Sequence, residues 1–196
     1  MNVKRIPLLA LLAAWTVGAI GCTTFKHIEI GVAPQATGRT TTTHGSHETT
    51  AVVHVIGVGA AEKDKFATIN PNDYWDGRVT ADIRSLRRSA RTLELQIRVG
   101  RSVILDADAL KALREAWTEA NAGFIVIMAD IDGSPEHRYG RIIPLQPSDW
   151  PTDLLQGLEL KITLHSDSMS ISPSWKPEAE SHEMRPSDEG AGGAVR

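Results

Sequence analysis

The stretch "TLELQIRV", residues 92–99, sets Leu93, Leu95, Ile97 and Val99 on one side and Thr92, Glu94, Gln96 and Arg98 on the other. A period of two is what an extended strand needs to bury one face. On a helix the same residues would scatter around the axis. "LELKITL", residues 158–164, repeats the pattern with Leu158, Leu160, Ile162 and Leu164 against Glu159, Lys161 and Thr163. "RVTADIR", residues 78–84, sets Val79, Ala81 and Ile83 inward, and "SMSIS" adds Met169 and Ile171 after the turn-like "HSDS". Strands with one wet face suit antiparallel sheets. "AVVHVIGV", residues 51–58, and "FIVIMADI", residues 124–131, are apolar on both sides and read as central strands. Residues 28–32 and 141–145 read as shorter strands. About eight strands with one clear helix predict a mainly β chain, a two-sheet antiparallel sandwich with one added α-helix.

That helix is expected from Asp108 to about Asn121. Leu110, Leu113, Trp117 and Ala120 recur at helical spacing and give one apolar stripe, read as packing on the sandwich. Asp106 or Asp108 can cap its first amides, and Gly123 suits its end. Two segments lack any apolar period. Residues 33–50 are rich in Thr and Gly, and a loop of that length inside a compact domain is often functional. Residues 173–196 carry Pro, Glu, Ser and "GAGGA", and are expected to be a disordered tail.

The chain holds a single cysteine, Cys22. It stands directly behind an apolar run, residues 6–20, which follows the basic pair Lys4 and Arg5. A membrane-spanning helix needs roughly 20 apolar residues, so the run reads as a secretory signal, residues 1–21. Ala19, Ile20 and Gly21 precede the cysteine, and the arrangement resembles the bacterial lipobox. That resemblance implies a sulfur carrying diacylglycerol and a chain cut just before Cys22. A disulfide would need a second thiol, and a catalytic cysteine would need a base and a structured pocket. Two or more acyl chains hold a protein durably on a bilayer, each buried methylene contributing about 0.8 kcal/mol. The residue after the cysteine is Thr23 rather than Asp, which among lipoproteins implies the outer membrane, with residues 22–172 as a domain on its periplasmic face. Formal net charge is −3 and no basic patch stands out, so no nucleic-acid partner is expected.

Polar clusters that could carry chemistry are few. "THGSHE" places His44 and His47 three apart with Glu48 adjacent and His54 in the next strand. A metal site needs three or four convergent ligands on rigid elements, so these read as solvated loop histidines and no metal is expected. Asp130, Asp132 and Gly133 in "ADIDGS" lack the further oxygen ligands and closing Glu of a calcium loop, and read as a strand end and turn. Asp106 and Asp108 read as caps rather than an acid–base pair. The sequence has no nucleophile elbow, Walker loop or dinucleotide glycine pattern, so neither catalysis nor a cofactor is expected. Phe66, Tyr74 and Trp75 in "DKFATINPNDYWDG" are expected to close one end of the sandwich.

The order of these features is similar to that of a known family. A lipobox leads into a first strand and a polar loop, then "AVVHVIGV" and "AAEKDKFATINPNDYWDG". Later comes "GFIVIMADIDGSPEHRYGRIIPL", a central strand ending in Ala-Asp, a polar turn and a strand ending at Pro144. This resembles the TssJ-type outer-membrane lipoprotein of the type VI secretion membrane complex. The resemblance implies a transthyretin-like or C2-like sandwich of two four-stranded sheets with added helix. It also implies a non-enzymatic tether, which binds the periplasmic C-terminal domain of the inner-membrane component through the loop between the first two strands, here residues 33–50. Cys22 is the residue that carries over. The alternative is a lipid-anchored periplasmic binding module for a small ligand or surface polymer, with a pocket lined by aromatics such as Tyr74 and Trp75.

Overall fold

The computed structural model describes residues 27–36, 49–145, 159–172 and 182–185. Nine strands and four α-helices form within them: β1 (His27–Val32), β2 (Thr50–Val58), α1 (Ala60–Ala67), α2 (Pro71–Trp75), α3 (Ala81–Arg87), β3 (Thr92–Arg98), β4 (Ser102–Leu105), α4 (Ala107–Glu119), β5 (Phe124–Ile131), β6 (Arg138–Pro144), β7 (Glu159–Leu164), β8 (Met169–Ser172) and β9 (His182–Met184). A four-stranded sheet runs β4-β1-β7-β8 and faces a five-stranded sheet, β3-β2-β5-β6-β9. The mainly β, two-sheet architecture is as the alternation predicts.

Alternation explains the core between the sheets. Ile28, Ile30 and Val32 of β1 and Leu160, Ile162 and Leu164 of β7 meet Ala51, Val53 and Val55 of β2 and Ile125, Ile127, Ala129 and Ile131 of β5, all buried. On the wet side of the four-stranded sheet, Lys161 Nζ lies 3.2 Å from Glu29 Oε1, a cross-strand pair set by the register Glu29↔Lys161. β1 and β7 run parallel, whereas every other paired neighbour is antiparallel. The sandwich is antiparallel, as expected, apart from this one parallel pair.

A third layer accounts for the strands that are apolar on both sides. Ile56 and Val58 of β2, Val126 and Met128 of β5 and Ile142 of β6 point away from the inter-sheet core. They are covered by Phe66 of α1, Tyr74 of α2, and Ile83 and Leu86 of α3. The single added helix of the sequence reading therefore becomes four. Residues 78–84, expected as a strand, instead lead into α3. Their alternation covers only Val79, Ala81 and Ile83, while Leu86 continues from Ile83 at helical spacing. Asp82 in the first turn and Arg84 and Arg87 in the last suit the helix dipole. Asn70 caps α2 by accepting from the Asn72 amide at 2.9 Å, with Pro71 at the first helical position.

α4 spans Ala107–Glu119 and buries Leu110, Leu113 and Trp117, the stripe read from sequence. Asp106 Oδ1 accepts from the Ala109 amide at 2.9 Å, as expected of a cap. Trp117 lies over Gly57, and its Nε1 donates to the Arg91 carbonyl at 2.8 Å. The segment 173–196 was expected to lack structure, yet His182–Met184 form β9 and pair with β6. The second sheet consequently has five strands rather than four.

Candidate functional site

The most elaborate polar cluster lies between the five-stranded sheet and its helical layer. His54 points outward from the middle of β2 and is 3% exposed, although its neighbours on that face are apolar. Its Nδ1 lies 2.7 Å from the Tyr74 hydroxyl, and its Nε2 lies 3.2 Å from Glu94 Oε2. A carboxylate only accepts, so the neutral ring satisfies both partners as one tautomer. Nε2–H donates to Glu94, and the Tyr74 O–H donates to Nδ1. The cross-strand register His54↔Glu94 puts these two side chains on one face.

Aromatic and cationic groups close around this pair. The Trp75 ring lies 4.7 Å from His54, centroid to centroid, and its Nε1 donates to the Ala129 carbonyl at 3.1 Å. The Arg87 guanidinium sits 4.6 Å above the Tyr74 ring and donates to the Tyr74 carbonyl at 2.7 Å. Burial depresses the His54 pKa and the Arg87 charge depresses it further, while Glu94 opposes both. The Tyr74 hydroxyl is pushed far up, chiefly by burial. Both rings are sealed from solvent, so neither reaches a substrate. The cluster rivets α2 and α3 to the sheet.

A second polar group ties α2 to the β5–β6 connection. Arg138 Nε lies 3.1 Å from Asp130 Oδ2, and its Nη1 lies 2.8 Å from Asp76 Oδ1. Arg78 bridges Asp76 and Asp73 at 3.2 and 2.8 Å. Asp130 and Asp132 also accept from the amides of Gly133 and Ser134 at 3.1 Å each, and Asp132 and Gly133 take positive φ of 62° and 77°. The "ADIDGS" segment is thus the strand end and turn expected from sequence, with the Asp130 carboxylate committed to Arg138 and backbone and that of Asp132 to His137 and backbone.

Of the expected site residues, Cys22, His44, His47 and Glu48 lie outside the described residues. His54 lies with Tyr74, Trp75 and Glu94. Phe66, Tyr74 and Trp75 cover the outer face of the five-stranded sheet rather than closing an end of the sandwich. This corrects their placement and commits the aromatic pair that a ligand pocket would use. Among the described residues, no three His, Cys, Asp or Glu side chains converge as a metal site, and no helix is long and apolar enough to cross a membrane. A shallow depression of about 400 Å3 runs along the wet face of α4, between Lys111, Arg114, Glu115 and Glu119. Sequence reasoning missed Arg87 and Glu94. Glu94 could have been found from strand pairing, since it occupies the one outward position opposite His54.

The connections cluster at one end of the sandwich. Val32, the last residue of β1, donates to the Arg101 carbonyl at 2.9 Å and accepts from Gly100 at 2.9 Å. The Ala33 amide donates to the Leu164 carbonyl at 2.8 Å, and Val99 to Thr49 at 3.0 Å. The Tyr139 hydroxyl, just after the β5–β6 connection, donates to the His165 carbonyl in the β7–β8 connection. The exit of β1, the entry of β2 and the β3–β4, β5–β6 and β7–β8 connections therefore share this end. The start of β1 lies at the other.

No protein-family model matches the chain, nor does any curated protein sequence. Among solved structures the chain is similar to the type VI secretion lipoprotein TssJ1 from Pseudomonas aeruginosa, at 12% identity and a TM-score of 0.44, covering 77% of this chain and 96% of that one. It is also similar to Serratia marcescens Lip, a membrane-bound component of the type VI secretion system, at 13% identity and a TM-score of 0.44 over 76% and 96%. A third similar structure is that of the TssM C-terminal domain from EAEC, at 13% identity and a TM-score of 0.45 over 76% and 99%. At these identities the functional reading rests on the chain's own residues and topology.

Proposed function

We propose that this chain is a TssJ-type lipoprotein, held by acyl chains on Cys22 to the periplasmic face of the outer membrane. It acts as a non-enzymatic tether of the type VI secretion membrane complex. Its partner is the periplasmic C-terminal domain of the inner-membrane component.

The observation that carries the reading is the direction of β1. Thr23–Lys26 alone separate Cys22 from His27, so a lipid on Cys22 holds the start of β1 within about 18 Å of the anchor. β1 then climbs about 20 Å, at about 3.3 Å per residue, to Val32. The chain leaves β1 at Ala33 and returns at Thr49 at that far end, the end turned away from the anchor. An inner-membrane partner would approach from there. Weak contacts made by a Thr- and Gly-rich segment would be strengthened by several copies arrayed around one channel.

The test removes residues 38–47, sparing the buried Ala36, and measures binding to the partner's purified periplasmic C-terminal domain. Binding weakens at least about tenfold, roughly 1.4 kcal/mol, while the circular dichroism spectrum stays unchanged. Unaltered affinity after the deletion would remove this segment from the interface.

A further inference from the structure

Among the described residues, His54 is the one buried side chain that is polar rather than apolar or aromatic. It stands in an otherwise apolar layer, where Ile56, Val58, Val126, Met128 and Ile142 of the sheet lie beneath Phe66, Tyr74, Ile83 and Leu86 of the helices. That layer is a packed cluster of its own, separate from the core between the two sheets. It can therefore open while the sandwich stays closed, as a local event rather than global unfolding.

The contacts that hold α2 and α3 down converge on His54. α2 has five residues and α3 seven, too short to stay helical without packing. α2 reaches His54 through the Tyr74 hydroxyl and the Trp75 ring, and α3 reaches this group through Arg87, which grips the Tyr74 ring and carbonyl. From α1 the apolar Phe66 packs on Tyr74. From β3 comes Glu94, whose side chain is 59% exposed and connects the enclosed ring to protons in solvent. β5 sets Met128 opposite His54, and Asp130, the next outward position on that strand, is turned to Arg138 and the Gly133 amide.

A proton on His54 undoes this arrangement. The imidazolium has two N–H donors and no acceptor, so Nδ1 can no longer accept from Tyr74. The phenol must turn round to accept instead, which leaves its own hydrogen without a partner inside an apolar layer. The new charge also sits in a buried place beside the Arg87 guanidinium, and Glu94 alone favours it. When α2 and α3 lift away, water solvates the imidazolium and the phenol, and both penalties disappear.

We propose that α2 and α3 form a proton-operated lid: protonation of His54 releases them from the five-stranded sheet and uncovers its apolar outer face, while the two sheets stay packed. This inference stands independently of the tether reading, because it rests on β2, α2, α3 and Glu94 alone.

The test is amide hydrogen exchange of the full chain in detergent micelles at pH 7.5 and pH 5, each rate corrected for the intrinsic effect of pH. The opening constant of the Tyr74, Asp76 and Arg84 amides rises by about threefold to thirtyfold at pH 5, thirtyfold being the ceiling for one imidazole of ordinary unfolded pKa that stays neutral while the lid is shut. Amides of β1, β5 and β7 change by less than about twofold. H54Q keeps a donor for Glu94 and an acceptor for Tyr74 without titrating, and its lid amides are equally protected at both pH values. E94Q withdraws the charge that favours the proton, so its lid amides rise further than those of the native chain. Equal protection of the native lid at both pH values, or a rise shared equally by β1 and β7, would overturn the proposal. So would a rise that persists in H54Q, which would assign it to another group such as Asp130, or a smaller rise in E94Q than in the native chain.

Discussion

Replacing Gly57 with Ala tests how α4 is locked to the five-stranded sheet. Gly57 faces the inter-sheet core, directly beneath the Trp117 indole. A methyl group there would stand 2.2 Å from Cδ1, 2.4 Å from Nε1 and 2.5 Å from Cγ. These lie more than about 1 Å inside ordinary carbon contact, and the obstacle is a rigid ring rather than a chain end. The ring is not free to retreat, because its Nε1 donates to the Arg91 carbonyl at 2.8 Å and the Gly57 amide donates to the same oxygen at 3.1 Å. Overpacking costs about 1–3 kcal/mol, and a strained or broken indole hydrogen bond adds about 1 kcal/mol. Loss of glycine's freedom in the unfolded chain returns about 0.4–1 kcal/mol. G57A is therefore destabilised by about 1–3 kcal/mol in urea unfolding followed by far-ultraviolet circular dichroism, at constant slope. In a W117A background, already weakened by about 3–5 kcal/mol, the same substitution costs less than about 0.5 kcal/mol. If G57A costs as much without the indole as with it, the steric account is wrong.

Three further outcomes are expected. The depressed His54 pKa means that the unfolded chain binds a proton before the folded one does. The stability due to neutral His54 is complete above about pH 6.5, the unfolded value, and is lost as pH falls through the folded pKa; H54Q, which cannot titrate, flattens this part of the urea-midpoint profile between pH 7.5 and 5. An unchanged slope in H54Q would remove His54 as its source. R87A loses the guanidinium over Tyr74 and the bond to the Tyr74 carbonyl and is destabilised by about 1–2 kcal/mol, whereas R88A, at an exposed neighbour, changes stability by less than about 0.5 kcal/mol; equal effects in the two would refute the role given to Arg87. Under the proposed function, C22S moves the protein from the membrane to the soluble periplasmic fraction, and retention in the membrane would refute the anchor.

Strand alternation made much of the fold legible, and the reasons are local. β3 and β7 show one apolar side because one side is wet. β2 and β5 show two because α1, α2 and α3 cover their second face. The same covering helices were the least legible part. Each is so short that its apolar stripe amounts to one or two residues, and the three alternating residues Val79, Ala81 and Ile83 mimic a strand. The Asn70-Pro71 cap of α2 was the available signal. The parallel pairing of β1 with β7 and the attachment of β9 depend on partners far apart in sequence, which no local period encodes. The candidate site was half legible: Tyr74 and Trp75 stood out as a pair, but His54 was grouped with histidines near it in the chain. Its actual partners, Tyr74 and Glu94, are 20 and 40 positions away, brought in by the helical layer and by sheet register.

The place of β1 in its sheet has a mechanical consequence. Although it is the first strand of the described body, it is not at an edge. β7 flanks it along all six residues, and β4 pairs with Ile28 to Gly31 on the other side. A pull entering from the amino terminus and resisted at the opposite end runs along the strand axis. It shears both ladders at once instead of peeling one open bond by bond. Rupture then demands the near-simultaneous loss of two rows of hydrogen bonds and the sliding of Ile28, Ile30 and Val32 through a packed interior. A body built this way resists tension best along the line from its first residue to the exit of its first strand.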